Sequence, residues 1–286
     1  MISHLIRSYP RRFAAVTATV VTLSLVATAE AHDFWLIPDL FAIAADANIQ
    51  VSARQGTKFP DGTAVPAARV IDARIIGASG TTKITEMSVE GASLRLQQKP
   101  KVAGQYLIAV GLSPGTMRST PAGLLKFLRA EGGASEATRV EGDKTISSLD
   151  SVIFTYASFA ETIVQVGQGG TRAFNLSAGY LLEYVPINDP AHLHVGDTLH
   201  LKVMGSGKAV AGIGIDAKPA ADTAVGSVAA PYTTFKADAS GAVHLPLTKA
   251  GAWIVRSAFV SKRPGAVVNE YDVSRATYVF TVGAKH

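Results

Sequence analysis

The segment Thr198-Leu199-His200-Leu201-Lys202-Val203 alternates strictly between polar and apolar residues. Successive side chains of a strand point to opposite sides, so this period of two predicts a strand with one buried face and one solvent face. Residues 49–54 and 242–247 alternate in the same way. Gly, Asp and Pro residues between such segments are typical of turns that join antiparallel strands. The sequence therefore predicts a mainly β protein.

The predicted strands divide into two groups near Ser177-Ala178-Gly179. We expect a β-rich, sandwich-like N-terminal domain at residues 32–178 and a C-terminal domain at residues 179–286. Seven short strands at the spacing seen after residue 178 are typical of an immunoglobulin-like sandwich. The seven candidate strands are residues 180–186, 197–204, 209–216, 231–237, 242–248, 252–260 and 275–282.

The N-terminal domain is predicted to contain one or two short helices. Thr120 can cap the first helix, Pro121 suits its first position, and Gly132 can end it. Apolar residues at roughly helical spacing predict a second helix around residues 151–166. The Gly-, Ser- and charge-rich residues 131–148 predict a surface loop.

Residues 1–31 have the three parts of a cleaved signal peptide: arginines, an apolar stretch at 13–27, and small residues at the cleavage position. Cleavage is expected after Ala31 or after Ala29. The apolar stretch is shorter than the roughly 20 residues that span a bilayer, and no later segment reaches that length. We therefore expect a periplasmic protein without a membrane span after signal removal.

Composition narrows the function classes. The formal net charge is +5, and Lys and Arg are not clustered with aromatic residues, so no nucleic-acid partner is expected. The chain has no cysteine, so a bound metal would take nitrogen, oxygen or methionine ligands.

The segment 205–208 resembles a phosphate-binding loop but lacks its first glycine and its final Ser or Thr. With no catalytic signature and no organic cofactor site, we expect a protein that is not an enzyme.

His32 is the leading candidate metal ligand, because it follows the predicted cleavage site. After cleavage at Ala31, its α-amino group and imidazole Nδ1 would chelate one metal, an arrangement called a histidine brace. After cleavage at Ala29, the terminus Glu30-Ala31-His32 would offer an amine, two amides and an imidazole in a plane, which Cu(II) and Ni(II) favour. The alternative is that His32 only opens a first strand.

His192 and His194 are the second candidate pair. In an extended segment, residues two apart face the same way, as two metal ligands require. They lie in a polar connection where solvated histidines are equally expected. His200 and His244 fall on the polar faces of their strands and are predicted to be surface residues.

Five motifs occur in order along the chain after the signal. They are HDFWLIP (32–38), KFLRAEG (126–132), LEYVP (182–186) followed by Asp189-Pro190 and Gly196-Asp197, DASG (238–241), and GAW (251–253). The set resembles an exported bacterial family of largely uncharacterised proteins, a domain-of-unknown-function family described as periplasmic components of nickel or cobalt uptake. The resemblance implies two β-rich domains, the second immunoglobulin-like, and a role with divalent transition metals.

Among the metal residues that the resemblance implies, His32 matches. Relatives often carry a histidine shortly after the position of Trp253, where this chain reads Arg256-Ser257-Ala258-Phe259. They also tend to have a lysine near the position of Glu161. Because this chain differs from the relatives at both positions, it lacks the second metal ligand that the resemblance would otherwise imply.

Three functions remain open. The first is a periplasmic accessory protein that binds Ni or Co, alternatively Cu or Zn, and passes it to a membrane transporter or an outer-membrane receptor. This hypothesis expects His32 in a cleft near His192 or His194. The second is a non-catalytic module that binds an envelope protein or a glycan. The third is a copper protein, or copper enzyme, that uses an N-terminal histidine chelate. The sequence leaves the metal and the oligomeric state open.

Overall fold

The computed structural model describes residues 32–170, 172–220, 231–263, 265 and 268–285, most of them in β-strands. The strands are β1 (Asp33–Pro38), β2 (Ala42–Ile43), β3 (Ile49–Lys58), β4 (Asp61–Ala64), β5 (Val70–Gly77), β6 (Gly80–Lys83), β7 (Glu86–Glu90), β8 (Ser93–Gln98), β9 (Gly104–Ser119), β10 (Val152–Val166), β11 (Glu183–Pro186), β12 (Thr198–Gly205), β13 (Lys208–Ala209), β14 (Gly214–Pro219), β15 (Thr233–Lys236), β16 (Ala242–Pro246), β17 (Gly251–Lys262) and β18 (Glu270–Val282).

Within the described ranges these strands form three sheets. The N-terminal sheet has the order β1-β3-β8-β7, with β4 also paired to β3. The central sheet has the order β15-β14-β17-β18-β10-β9-β5-β6, with β2 beside β10. The C-terminal sheet has the order β11-β12-β13, with β16 also paired to β12. The pairs β10–β18 and β10–β2 are parallel, and the other pairs of named strands are antiparallel.

The central sheet is buried on both faces, because alternate residues of its strands enter different cores. In β9, Ile108 packs in the core that contains Leu36 of the N-terminal sheet. Its neighbour Leu107 packs in the core that contains Leu199 of the C-terminal sheet. Each such fully buried side chain stabilises the fold by about 1.5–3 kcal/mol relative to exposure.

Strand β10 corrects the prediction of a helix at residues 151–166. It pairs with β9 on one side and with β18 on the other. Ala160 and Val164 face one core, whereas Phe159 and Ile163 face the other. Because both faces are buried, the two-residue alternation is lost, and a continuous apolar run cannot be distinguished from a helix by periodicity.

Three α-helices lie between β9 and β10: α1 (Pro121–Ala130), α2 (Ala134–Gly142) and α3 (Lys144–Ser147). Helix α1 begins as predicted, because the Thr120 hydroxyl accepts a hydrogen bond of 3.1 Å from the Gly123 N–H. The predicted loop at 131–148 is wrong, since α2 and α3 occupy most of it.

The helices form because their few apolar residues are buried together. Ala137 and Val140 of α2 pack in one core with Val260 and Tyr271 of the central sheet. Tertiary packing of an apolar face stabilises short helices more than intrinsic propensity does. The polar composition of this segment therefore led to the wrong prediction of a loop.

The prediction of a mainly β protein with sandwich-like packing is confirmed. The described residues contain three helices where one or two were expected. The central sheet takes strands from both sides of the predicted boundary at 178/179, joined at the β10–β18 pair. The division into two domains stays a prediction. Two domains with this boundary would both contribute strands to the central sheet.

The predicted signal peptide, residues 1–31, lies outside the described residues. None of the helices in the described ranges has the length and apolar character needed to cross a membrane.

Candidate functional site

Strand β1 holds His32 at a defined place in the structure. Trp35 and Leu36 are fully buried, and the Trp35 ring meets the Phe59 ring edge-on with centroids 5.8 Å apart. The Thr277 hydroxyl donates a 2.6 Å hydrogen bond to the Phe34 carbonyl, which ties β1 to the central sheet. His32 directly precedes this strand and is partly buried.

Asp33 belongs to a buried group that we call the Asp33 cluster: Asp33, Asp216, Tyr232 and Arg256. The Arg256 guanidinium donates to Asp33 Oδ2 at 2.6 Å through Nη1 and to Asp216 Oδ2 at 3.4 Å through Nη2. The Tyr232 hydroxyl donates to Asp33 Oδ2 at 3.2 Å. Thr234 donates to the other Asp216 oxygen at 2.7 Å. The two carboxylates therefore share one arginine, away from water.

Aromatic contacts complete the Asp33 cluster. The Arg256 guanidinium carbon lies 3.8 Å from the centroid of the Tyr232 ring, and Lys218 Nζ lies 4.3 Å from it. Burial lowers the pKa of Lys218, and the nearby charge of Arg256 lowers it further. Burial also raises the pKa of the Tyr232 hydroxyl, with a contribution from the charge of Asp33. The ring thus shields a desolvated set of charges.

A second buried ion pair, Glu131 with Arg275, lies beside the Asp33 cluster. Arg275 also donates to Ser158 Oγ at 2.6 Å. Burial raises the pKa of Glu131, an effect that Arg275 opposes and Asp33 reinforces. The cavity between the two ion pairs has a volume of about 10 Å³, the space of one water molecule. This region is packed and does not form a ligand chamber.

The carboxylates of the Asp33 cluster and of the neighbouring ion pair are thus engaged by arginines. Asp33 and Asp216 bind Arg256, and Glu131 binds Arg275. The described residues contain no group of three or more His, Asp or Glu side chains that is placed to hold a metal.

His192 and His194 have separate carboxylate partners. His192 ends a short 3-10 helix (Pro190–His192) and does not lie in the extended segment that the prediction assumed. Its Nδ1 lies 3.0 Å from Asp189 Oδ2. His194 Nδ1 lies 3.9 Å from Asp197 Oδ2, and its backbone N–H donates to the same carboxylate oxygen at 2.8 Å.

The structure does not bring His32 together with His192. The separation between the two histidines can be estimated along strand β10. Ser158 lines the small cavity beside Asp33, and Gln165 lines the groove that contains His192. Seven residues of extended chain span about 23 Å. The cleft expected between His32 and His192 is therefore not formed. Their individual roles as metal ligands stay predictions.

The groove at His192 has a volume of about 820 Å³. This is within the usual size range of small-molecule sites. Gln105 Nε2 donates to both oxygens of Asp189 at 2.8 Å, so that carboxylate is already engaged at the groove wall. The exposed side chains of Arg172 and His192 are the charged or basic groups closest to solvent there.

Residues 29–260 match the family model described as a domain of unknown function, DUF4198. The chain belongs to this family. Family membership confirms the expected domain-of-unknown-function family, and it carries no assigned activity. No curated protein matches the chain significantly.

Solved structures give distant similarities. Murine CEACAM1b is 12% identical, with 89% of this chain and 100% of that chain covered and a TM-score of 0.21. Salmonella alpha-2-macroglobulin reacted with methylamine is 10% identical, with 88% of this chain and 15% of that chain covered and a TM-score of 0.22. At these TM-scores the similarities carry no argument about this member of the DUF4198 family.

Sequence reasoning missed one pair of potential ligands, His200 and His244. The register of β12 with β16 places them directly opposite each other, and their Nδ1 atoms are in contact. The alternation of each strand, taken alone, predicts only that its histidine is a surface residue. Only the pairing of two strands more than forty residues apart would have revealed the contact.

Proposed function

We propose that this DUF4198 protein is a periplasmic accessory protein that binds a divalent transition metal for nickel or cobalt uptake. Ni(II) or Co(II) is the cargo, and a membrane transporter or outer-membrane receptor receives it. The resemblance of the sequence motifs to exported proteins described as components of metal uptake supports this role. His32 is the proposed principal ligand.

The observation that carries the proposal is the fixed position of Asp33. Its carboxylate is held by Arg256 and by Tyr232, and its strand is held by the buried Trp35. The adjacent His32 is therefore presented from a rigid element, not from a long flexible tail. A preorganised ligand loses less conformational entropy when a metal binds.

The chain terminus can supply the remaining ligands in either cleavage frame. A terminus at His32 provides an amine and an imidazole, whereas a terminus at Glu30 provides the planar set of four nitrogens. Neither frame requires Asp33, Asp216 or Glu131, which agrees with their engagement by arginines. Nitrogen ligands of this kind suit Ni(II), Cu(II), Co(II) and Zn(II) better than Mg(II) or Ca(II).

His192 and His194 are proposed as auxiliary ligands at a separate place. The exposed His192 and the partly exposed His194 lie on a polar connection, a position that permits contact with metal or with a partner.

The test uses protein exported from its own signal. Intact mass would first fix the mature terminus, and calorimetric titration with Ni(II), Co(II), Cu(II) and Zn(II) would follow. His32→Ala is the test variant, and the double variant His192→Ala/His194→Ala is its control, because it removes two imidazoles elsewhere.

The proposal expects His32→Ala to abolish one binding event that the control retains. Preference for Ni(II) or Co(II) over Zn(II) would support uptake, and a strong preference for Cu(II) alone would instead support copper handling. Unchanged titrations in His32→Ala would contradict the proposal.

A further inference from the structure

His200 and His244 occupy the closest type of cross-strand position. The His200 N–H donates to Asn188 Oδ1 at 2.8 Å, and its carbonyl accepts from the Ile187 N–H at 2.7 Å. Both backbone groups therefore point toward the β11 side and away from β16. Opposite residues in such a non-hydrogen-bonded antiparallel pair bring their side chains closest together.

The two imidazoles meet through nitrogen atoms. Their Nδ1 atoms are in contact, their ring centroids lie 4.7 Å apart, and their planes are inclined by 75°. A neutral imidazole has one N–H donor and one acceptor nitrogen. Two facing Nδ1 atoms are therefore compatible with one shared proton, or with one cation bound by both lone pairs.

The sheet holds this pair rigidly at the surface. The neighbours Leu199, Leu201, Val243 and Leu245 are almost fully buried on the opposite face of the C-terminal sheet. Strand alternation then directs both histidines outward, with His200 partly exposed and His244 exposed. Ligands on strands are held more precisely than ligands on loops.

We propose that His200 and His244 form a two-histidine site for a divalent transition metal. The two Nδ1 atoms supply adjacent positions, and water completes the coordination. The site goes beyond the proposed function, because it requires neither His32 nor a free chain terminus. Imidazole ligands without carboxylate select Cu(II), Ni(II), Zn(II) and Co(II) over Mg(II) and Ca(II).

The local charge is compatible with a bound cation. Asp238 lies between β15 and β16, the strand that carries His244, and supplies a carboxylate in this part of the sheet. Its Oδ1 accepts hydrogen bonds from the Ser240 hydroxyl at 2.7 Å and from the Ala242 N–H at 2.9 Å, and it is not one of the proposed ligands.

The test is calorimetric titration with Zn(II) or Ni(II) of chains that all carry His32→Ala. That background removes the N-terminal chelate, so this site succeeds or fails separately from the proposed function. His200→Ala and His244→Ala are the test variants, and Lys208→Ala, at an exposed position of β13 in the same sheet, is the matched control. Circular dichroism and unfolding midpoints of the apo proteins would show that each variant is folded.

The proposal expects the His32→Ala background to bind one ion per chain that depends on His200 and His244. Either test variant should weaken binding by at least about tenfold, because even supporting residues of metal sites contribute that much. The control should bind as the background does. Unchanged affinity in the two test variants, or an equal loss in the control, would overturn the proposal. Imidazole NMR signals that respond to Zn(II) only at other histidines would overturn it as well.

Discussion

Arg256 donates a 2.6 Å hydrogen bond to Asp33 across 223 positions of sequence. The bond joins the first described strand to β17 of the central sheet. It also engages the carboxylate of Asp33, which directly follows His32 in the sequence. The proposed metal binding depends on His32. Asp33 thus acts as an anchor for the start of β1.

Replacing Arg256 with Met should destabilise the protein strongly. The change removes the charge while keeping an extended side chain, and it leaves Asp33 and Asp216 buried without their cation. Breaking a buried ion pair in this way costs about 3–5 kcal/mol. Urea unfolding would measure the loss in the free energy of unfolding.

Arg129→Ala is the matched control for Arg256→Met. The Arg129–Glu141 pair has a separation of 2.9 Å but is half-exposed on both sides. Such surface pairs contribute about 0–1 kcal/mol. Equal losses in the two variants would contradict the structural role assigned to Asp33.

Gly132→Ala should also disturb Arg256. Gly132 has a φ of +77°, and an added Cβ would lie 2.7 Å from Arg256 Cγ. The left-handed backbone alone costs a non-glycine residue about 1–2 kcal/mol. Gly142→Ala, at the end of α2 with no atom within 4 Å, should be neutral or stabilising by up to about 1 kcal/mol. Thermal unfolding of both variants tests this ordering, and the reverse ordering would contradict it.

Glu161 should make stability fall as pH rises. Burial raises the pKa of this carboxyl well above its usual range, and Glu183 reinforces the effect. The folded state therefore keeps a proton that the unfolded state loses above about pH 4.3. The free energy of unfolding then falls by up to about 1.4 kcal/mol per pH unit until the raised pKa is reached.

Glu161→Gln should remove this slope and stabilise the protein at neutral pH. One oxygen of Glu161 accepts a 3.2 Å hydrogen bond from the Tyr184 N–H, which the amide oxygen can still accept. The other oxygen has no hydrogen-bond partner in the described structure. Urea unfolding between pH 5 and pH 8 measures the slope. Glu141→Gln, at an exposed position, should retain the wild-type slope, and a retained slope in Glu161→Gln would contradict the prediction.

Strands that bury one face were predictable from sequence. The alternation in residues 198–203 and 242–247 reflects one dry face and one wet face, and both segments are strands of the C-terminal sheet. Strand β10 was not predictable in this way. Its two buried faces erase the alternation, and the apolar run then resembles a helix.

The candidate sites were less predictable because their contacts depend on tertiary pairing. His32 stood out through its position after the expected cleavage site. The contacts of Asp33 with Arg256 and of His200 with His244 require knowledge of which strands are neighbours. Local periodicity contains no information about such pairings.

The most direct test of this account counts the Ni(II) ions retained per chain after equilibrium dialysis. It compares the exported wild-type protein, His32→Ala, His200→Ala/His244→Ala, and the triple variant. His192 and His194 are present in all four chains. The two sites at His32 and at His200 with His244 therefore predict one ion fewer in each of the first two variants than in the wild type, and two fewer in the triple variant. Equal retention by the wild type and His32→Ala would contradict the central claim that His32 binds metal.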